Sequence, residues 1–332
     1  MEPIRARYVG YVRDTENHGD EALVGIIRDL LAPEIEVVFD DTRPHHLALL
    51  GGGTLINQSP WLIDSFRNAL DRSQLGKGIV FGTGVGDTAF WGNHFPQWFP
   101  LLQRCEAVGV RGPHSLKLLQ QHGFESAQNI GDPYLSIEPP IRPTPQPHRI
   151  GINLGSSNNS LWGKDDADFL EFMTGILRKL REDGFTFLWF SVWSKDLPLL
   201  ARIRDIVAPE SDPVLDARAQ TQKTYDALAE CELCIGEKLH ACAMAAVCQV
   251  PFIAMEYQPK VRDFAASLDM EPWIISTAER DAALVLSAIR DLRSQRSLVR
   301  LRMARCVNLL RKRISRFAMT ARNRAGRSPW SA

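Results

Sequence analysis

The strongest constraint on this chain is a stretch with five prolines in eleven residues, PPIRPTPQPHR at 139–149. Proline fixes φ and has no backbone N–H, so this stretch is neither a central strand nor a helix interior and reads as a linker. On both sides of it, short apolar runs alternate with helical patterns. Before it, ARYVGYV (6–12), EIEVVF (34–39), LALL (47–50), GKGIVFGTGVG (76–86) and AVGVR (107–111) read as strands, with helices at 19–31 and 112–123. After it, IGINL (150–154), FTFLWFSVW (185–193), CELCIG (231–236) and PFIAMEY (251–257) read as strands, with helices at 165–183, 221–230, 239–247 and 260–268. Such alternation implies βαβ units and parallel sheets. At 332 residues, two domains are expected. The expectation is an α/β chain with two parallel sheets facing a cleft: residues 1–138, a linker at 139–149, residues 150–280, and a basic C-terminal helix and tail at 281–332.

No basic and apolar leader is evident, and no run of about 18 apolar residues occurs, so a cytoplasmic protein is expected. The six cysteines then read as reduced thiols. Cys231 and Cys234 form a CxxC, but no second half of a zinc site accompanies it, so they read as small core residues and no metal is expected.

Loops that follow strands carry the chemistry in such sheets. In GEKLHA, Lys238 and His240 stand at the start of a helix whose free amides favour an anion. Glu256, Tyr257 and Lys260 follow the next strand along the same edge. The plainer reading makes Lys238 a solvated charge and His240 a satisfied helix residue. NHGDEAL places Asn17 and Asp20 between the first strand and first helix, where either also serves as a cap. The glycine runs at 51–53 and 82–86 match neither a dinucleotide fingerprint nor a phosphate loop, so Gly52 and Gly53 read as places of close backbone approach. Arg111 ends its strand where a guanidinium grips a carboxylate or phosphate, or forms a salt bridge.

Taken in order, NHGDEAL, LLGGGTL, GTGVG, VRGPHSLKLLQQHG with GDPYL, IGINL, and IGEKLHACAMAA with PFIAMEYQPKVRDF resemble the polysaccharide pyruvyl transferase family, up to about Met270. The resemblance implies two Rossmann-like domains of the GT-B type and transfer of the enolpyruvyl group of phosphoenolpyruvate to a sugar, giving a pyruvate ketal. No cofactor is implied beyond phosphoenolpyruvate as donor substrate. It implies roles for Asn17, Asp20, Gly52, Gly53, Arg111 and His240. One departure stands out: where the family has Arg-Leu-His, this chain has Lys238-Leu239-His240, which replaces a two-pronged grip by a point charge. On this reading Arg111 and Lys238 hold the donor, His240 supplies the proton and Asp20 meets the acceptor hydroxyl. Two alternatives stay open, a GT-B glycosyltransferase using a nucleotide sugar and a non-catalytic glycan- or anion-binding relative.

The formal net charge is zero, but residues 290–332 hold thirteen Lys or Arg against one acid. Within this tail, Leu298, Leu301, Val307, Leu310, Ile314 and Phe317 read as one apolar helical face among arginines. The expectation is that 282–298 packs on the body and that the arginine-rich remainder contacts an anionic membrane weakly, near a lipid-linked acceptor. Nucleic-acid binding is not expected, since no aromatic interleaving supports it.

Overall fold

A computed structural model of the chain describes residues 3–10, 15–40, 43–141, 143–156 and 166–326. Residues 11–12 of the first expected strand, Arg142, residues 157–160 of the polar loop and residues 327–332 of the tail lie outside them. The chain forms two compact units. One takes the described residues up to 15, 20–136 and those from 308 onward; the other takes 16–19 and 137–307.

The first unit is a parallel sheet of β1 (Ile4–Val9), β2 (Ile35–Val38), β3 (Leu47–Gly51), β4 (Thr54–Ile56), β5 (Lys77–Val85), β6 (Cys105–Val110) and β7 (Gln128–Asn129). Their order is β2-β1-β3-β5-β6-β7, with β4 beside β5. Strand β3 is wholly buried, and β5 is buried from its second residue onward. Coverage on both faces explains why these strands read as unbroken apolar runs. The helices are α1 (His18–Leu31), α2 (Pro60–Arg72), α3 (Thr88–Trp91), α4 (Phe95–Leu102) and α5 (Pro113–Gln121). Helix α2 turns Leu62, Ile63, Phe66, Ala69 and Leu70 inward, and the Phe66 ring lies 6.1 Å from buried Trp98 of α4.

The second unit repeats the plan with β8 (Arg149–Asn153), β9 (Thr186–Ser191), β10 (Leu215–Asp216), β11 (Leu233–Gly236), β12 (Phe252–Glu256) and β13 (Ile274–Ser276). All pairings are parallel, in the order β10-β9-β8-β11-β12-β13. Its helices are α6 (Asp166–Glu182), α7 (Leu197–Val207), α8 (Thr221–Ala229), α9 (Leu239–Val247), α10 (Pro259–Ala266) and α11 (Ala282–Ser294). Helix α9 is apolar all round because it is covered all round, and its small residues let it lie close to β11. A Cβ on Gly236 would sit 2.8 Å from Cys242 Sγ. Cys231 and Cys234 are buried and free, and burial pushes the Cys231 thiol up to about 12. They pack as core residues.

The last helix, α12 (Arg296–Gly326), corrects the expectation for the tail. Val299, Met303, Val307, Leu310, Ile314, Phe317, Ala318, Ala321 and Ala325 are buried, so the packed face continues far beyond residue 298. Leu298 and Leu301 point the other way, 48% and 54% exposed. The six-residue step from Leu301 to Val307 is the cause: at about 100° per residue it crosses the helix instead of following one face. Phe317 packs edge-on to Phe81 of β5 at 5.3 Å, and glycine at 109 admits it, since a Cβ there would lie 2.9 Å from the Phe317 ring. Phe317→Ala should therefore cost about 3 kcal/mol or more in denaturant titration. Leu309→Ala, at a position 50% exposed, should change stability by under about 0.5 kcal/mol. Equal losses would show that the two faces are wrongly assigned.

Candidate functional site

Because the second sheet is parallel, the loops after β8, β9, β11 and β12 all leave from one edge. Asn153, the fully buried last residue of β8, pairs with Gly236 of β11. Its side-chain amide donates to Phe190 O at 3.0 Å, and its oxygen accepts from Lys238 N at 3.1 Å. One side chain thus ties three neighbouring strand ends.

Lys238 is the extended residue that precedes α9, and its side chain folds back over this edge, 7% exposed. Its Nζ donates to Ser156 O at 2.6 Å and lies 3.8 Å from both Asp196 Oδ2 and Glu237 Oε1. The ring of Trp193 is 5.6 Å from Nζ and that of Tyr257 is 5.0 Å away. The two carboxyl groups are also tied to the β8 loop: Gly155 N donates to Glu237 Oε2 at 2.8 Å and Ser156 N to Asp196 Oδ1 at 2.9 Å. Residue 155 has to be glycine, since a Cβ would meet Asp196 Oδ2 at 2.2 Å and Lys238 Cε at 2.8 Å. Burial pushes the Glu237 carboxyl up to about 7, against the pull of Lys238 and the Gly155 amide. Burial raises Asp196 in the same way.

Tyr257 has two ammonium groups near its ring, with Lys260 Nζ at 4.9 Å beside that of Lys238 at 5.0 Å. Trp193 likewise carries Lys195 Nζ at 5.6 Å. Lysines and aromatic rings therefore alternate along this edge as Lys195, Trp193, Lys238, Tyr257, Lys260. Glu256 ends β12 in an ion pair. It is 7% exposed, and both of its oxygens accept from Arg262, at 2.8 and 2.5 Å.

His240, half-buried in the first turn of α9, rests on Gly19: a Cβ on that glycine would fall 1.9 Å from its Nδ1. The segment carrying Gly19 is fastened to the end of β9 by His18 N to Val192 O at 2.8 Å and Ser194 N to Glu16 O at 3.0 Å. The Asn17 side chain accepts from Gly19 N at 3.0 Å, which is a capping role. Asp20 follows in the first turn of α1, half-buried.

In the first unit, Gly52 and Gly53 adopt φ of +64° and +59°, conformations that glycine tolerates. Arg111 lies beneath them, 1% exposed, donating to Gly53 O at 3.2 Å and Thr54 Oγ1 at 2.8 Å. Its guanidinium braces the glycine loop. Gly84 makes room for it, since a Cβ there would lie 2.2 Å from Arg111 Nη2.

Within the second unit the structure gathers Lys238, Tyr257 and Lys260 in one array and sets His240 on Gly19 beside Asn17. Within the first it gathers Gly52, Gly53 and Arg111. The sequence reading missed Glu237, Asp196, Trp193, Ser156 and Asn153. Their signal was positional: each ends a strand or lies just past the end of one on the same sheet edge.

The neutral form of Glu237 contributes stability that is complete below its ordinary value of 4.5 and is lost as the pH rises through about 7. A shift of this size corresponds to on the order of 3 kcal/mol. Glu237→Gln is neutral at every pH, so the stability of the native chain minus that of the variant should fall across this window. Parallel denaturation curves from about pH 4.5 to 7 would remove this account of the carboxyl.

No curated protein matches the chain. Among solved structures, its fold is similar to S. aureus MnaA in a UDP co-structure, with a TM-score of 0.60 and 9% identity over 91% of each chain. It is also similar to the pneumococcal O-GlcNAc transferase GtfA in complex with UDP and GlcNAc, with a TM-score of 0.55 and 13% identity over 85% of this chain and 57% of that one. The glycotransferase of kitacinnamycin gives a TM-score of 0.52 and 12% identity over 96% of this chain and 98% of that one. At such identities the likeness concerns the fold alone, and it agrees with the GT-B-like class expected from the sequence. The family model for polysaccharide pyruvyl transferase matches residues 17–259, from the segment that carries Gly19 to the start of α10, and the chain belongs to that family.

Proposed function

We propose that this chain transfers the enolpyruvyl group of phosphoenolpyruvate to a sugar and closes it into a pyruvate ketal. Family membership makes it a transferase of polysaccharide modification; the donor and the ketal are the proposal. The observation that carries it is the array of Lys238, Tyr257 and Lys260 beside the first turn of α9, with His240 in that same turn. An enol phosphate brings a phosphate and a carboxylate, which need cations and amide donors, and a methylene carbon, which needs a proton. Lys260, half-buried, and the α9 amides hold the anion. Lys238 supplies charge from beside Tyr257, and burial that pushes the Glu237 carboxyl up to about 7 weakens the cancellation of that charge.

The steps balance as follows. His240 gives a proton to the methylene carbon, which becomes a methyl group. One sugar hydroxyl attacks the adjacent carbon, phosphate leaves with its bonding pair, and a second hydroxyl closes the ring. Of the two hydroxyl protons, one restores His240 and the other leaves with the phosphate. Asp20, next in sequence to the glycine on which His240 rests, receives the proton from the attacking hydroxyl and passes it on. A nucleotide-sugar reaction is the second reading, favoured by the fold shared with UDP-bound structures.

Titration calorimetry with phosphoenolpyruvate and, separately, with UDP distinguishes the two, and binding of UDP alone would overturn the proposal. His240→Ala should lower phosphate release in the presence of a sugar acceptor by at least about a hundredfold while donor binding persists. Gly19→Ala, which displaces the imidazole without touching Lys238, should reduce turnover in the same direction. Lys238→Ala should weaken donor binding in the same titration. Unchanged turnover in both the His240 and Gly19 variants would exclude the imidazole as proton donor.

A further inference from the structure

Helix α12 has a second face that no packing explains. At about 100° per residue, Leu298, Leu301, Arg302, Arg305, Leu309, Lys312, Arg313, Arg316 and Met319 fall within an arc of roughly 120°. All nine are exposed, the four apolar ones by 48–54%. This strip lies opposite Val307, Ile314 and Ala321, which hold the helix to the protein. It contains five basic residues and no acid. Arg296 and Arg322, at the two ends of the helix, pair with Glu232 and Glu34. Arg302, Arg305, Lys312 and Arg316 have no acidic partner among the described residues.

We infer that this outer strip of α12 docks on an anionic lipid bilayer, lying in the headgroup plane. The strip mixes cations with large apolar side chains, which suits a surface that is anionic outside and apolar a few ångströms below. Nucleic acid needs the cations but gives Leu301, Leu309 and Met319 nothing to bury against. A second copy of the strip would bring like charges together. The inference does not depend on the transfer reaction, so its failure would leave the phosphoenolpyruvate reading standing.

The test is sedimentation of the full chain with vesicles of phosphatidylglycerol and phosphatidylcholine, and with phosphatidylcholine alone, without donor or sugar. Binding is expected to the mixed vesicles only, and to be lost at about 1 M salt, where the Debye length is about 3 Å. Arg305→Glu with Arg316→Glu should lower binding at least about 25-fold, from about fivefold for each basic residue removed. Leu301→Ser with Leu309→Ser should lower it about tenfold or more. Both variants keep the buried face of α12, and unchanged melting temperatures confirm this. The inference is overturned by a lack of binding to mixed vesicles at low salt or by equal binding of the charge variant. It is overturned as well if the leucine variant binds as the native chain does while single-stranded DNA competes the vesicles away, since the partner would then be a polyanion.

Discussion

A single buried ammonium group sets the edge of the second sheet. Lys238 is 7% exposed, and a cation so placed needs partners near at hand. It takes partners from all four loops at that edge: Ser156 after β8, Asp196 and Trp193 after β9, Glu237 after β11 and Tyr257 after β12. The backbone amides of Gly155 and Ser156 bind the same two carboxyl groups, so loop, acid and lysine are tied to one another. Burial raises both carboxyl groups, against the pull of the ammonium beside them and of the backbone amides that they accept from. Gly155 follows from the same packing, because no side chain fits between Asp196 and Lys238.

This chamber also gives a physical reason for lysine where the family resemblance implies arginine. A guanidinium is best used by two acceptors in one plane. Here the Ser156 carbonyl accepts at 2.6 Å, and one oxygen of each neighbouring carboxyl group is already bound to a backbone amide. Two ring faces at 5.0 and 5.6 Å complete the enclosure. A compact ammonium suits that arrangement. On the proposed reading, direct contact with the donor then passes to Lys260 and the α9 amides, and Lys238 acts by charge and by holding the loops.

The architecture was legible because it rests on local signals. Buried parallel strands are long apolar runs, the helices between them keep a helical period, and the proline-rich segment separates the two series. GEKLHA was legible as a site because a strand ending in glycine meets a helix start. Its partners were not, since Asp196 and Trp193 reach Lys238 only through the pairing of β9, β8 and β11, which sequence spacing does not specify. For Arg111 and Glu256, sequence reveals a charge at a strand end but not its partner within the fold, here Gly53 O for one and Arg262 for the other. Tyr257 and Lys260 were placed correctly at the edge, yet the stacking that joins them to Lys238 needed coordinates.

The tail shows how magnitude decides between two forces that composition alone leaves equal. Its thirteen basic residues against one acid balance the acidic excess of the rest, which suggests a helix held by charge. Among the described residues, Arg293 and Arg296 share Glu232, and Arg322 meets Glu34. Partly exposed pairs of this kind contribute about 0–1 kcal/mol each. Val299, Met303, Val307, Leu310, Ile314 and Phe317 are each at least nine-tenths buried, and such side chains contribute about 1.5–3 kcal/mol apiece. The apolar face therefore holds α12, and the arginines are not needed for that purpose. Their concentration on the opposite face, among exposed leucines, is then a property of the surface, the one on which the proposed bilayer contact rests.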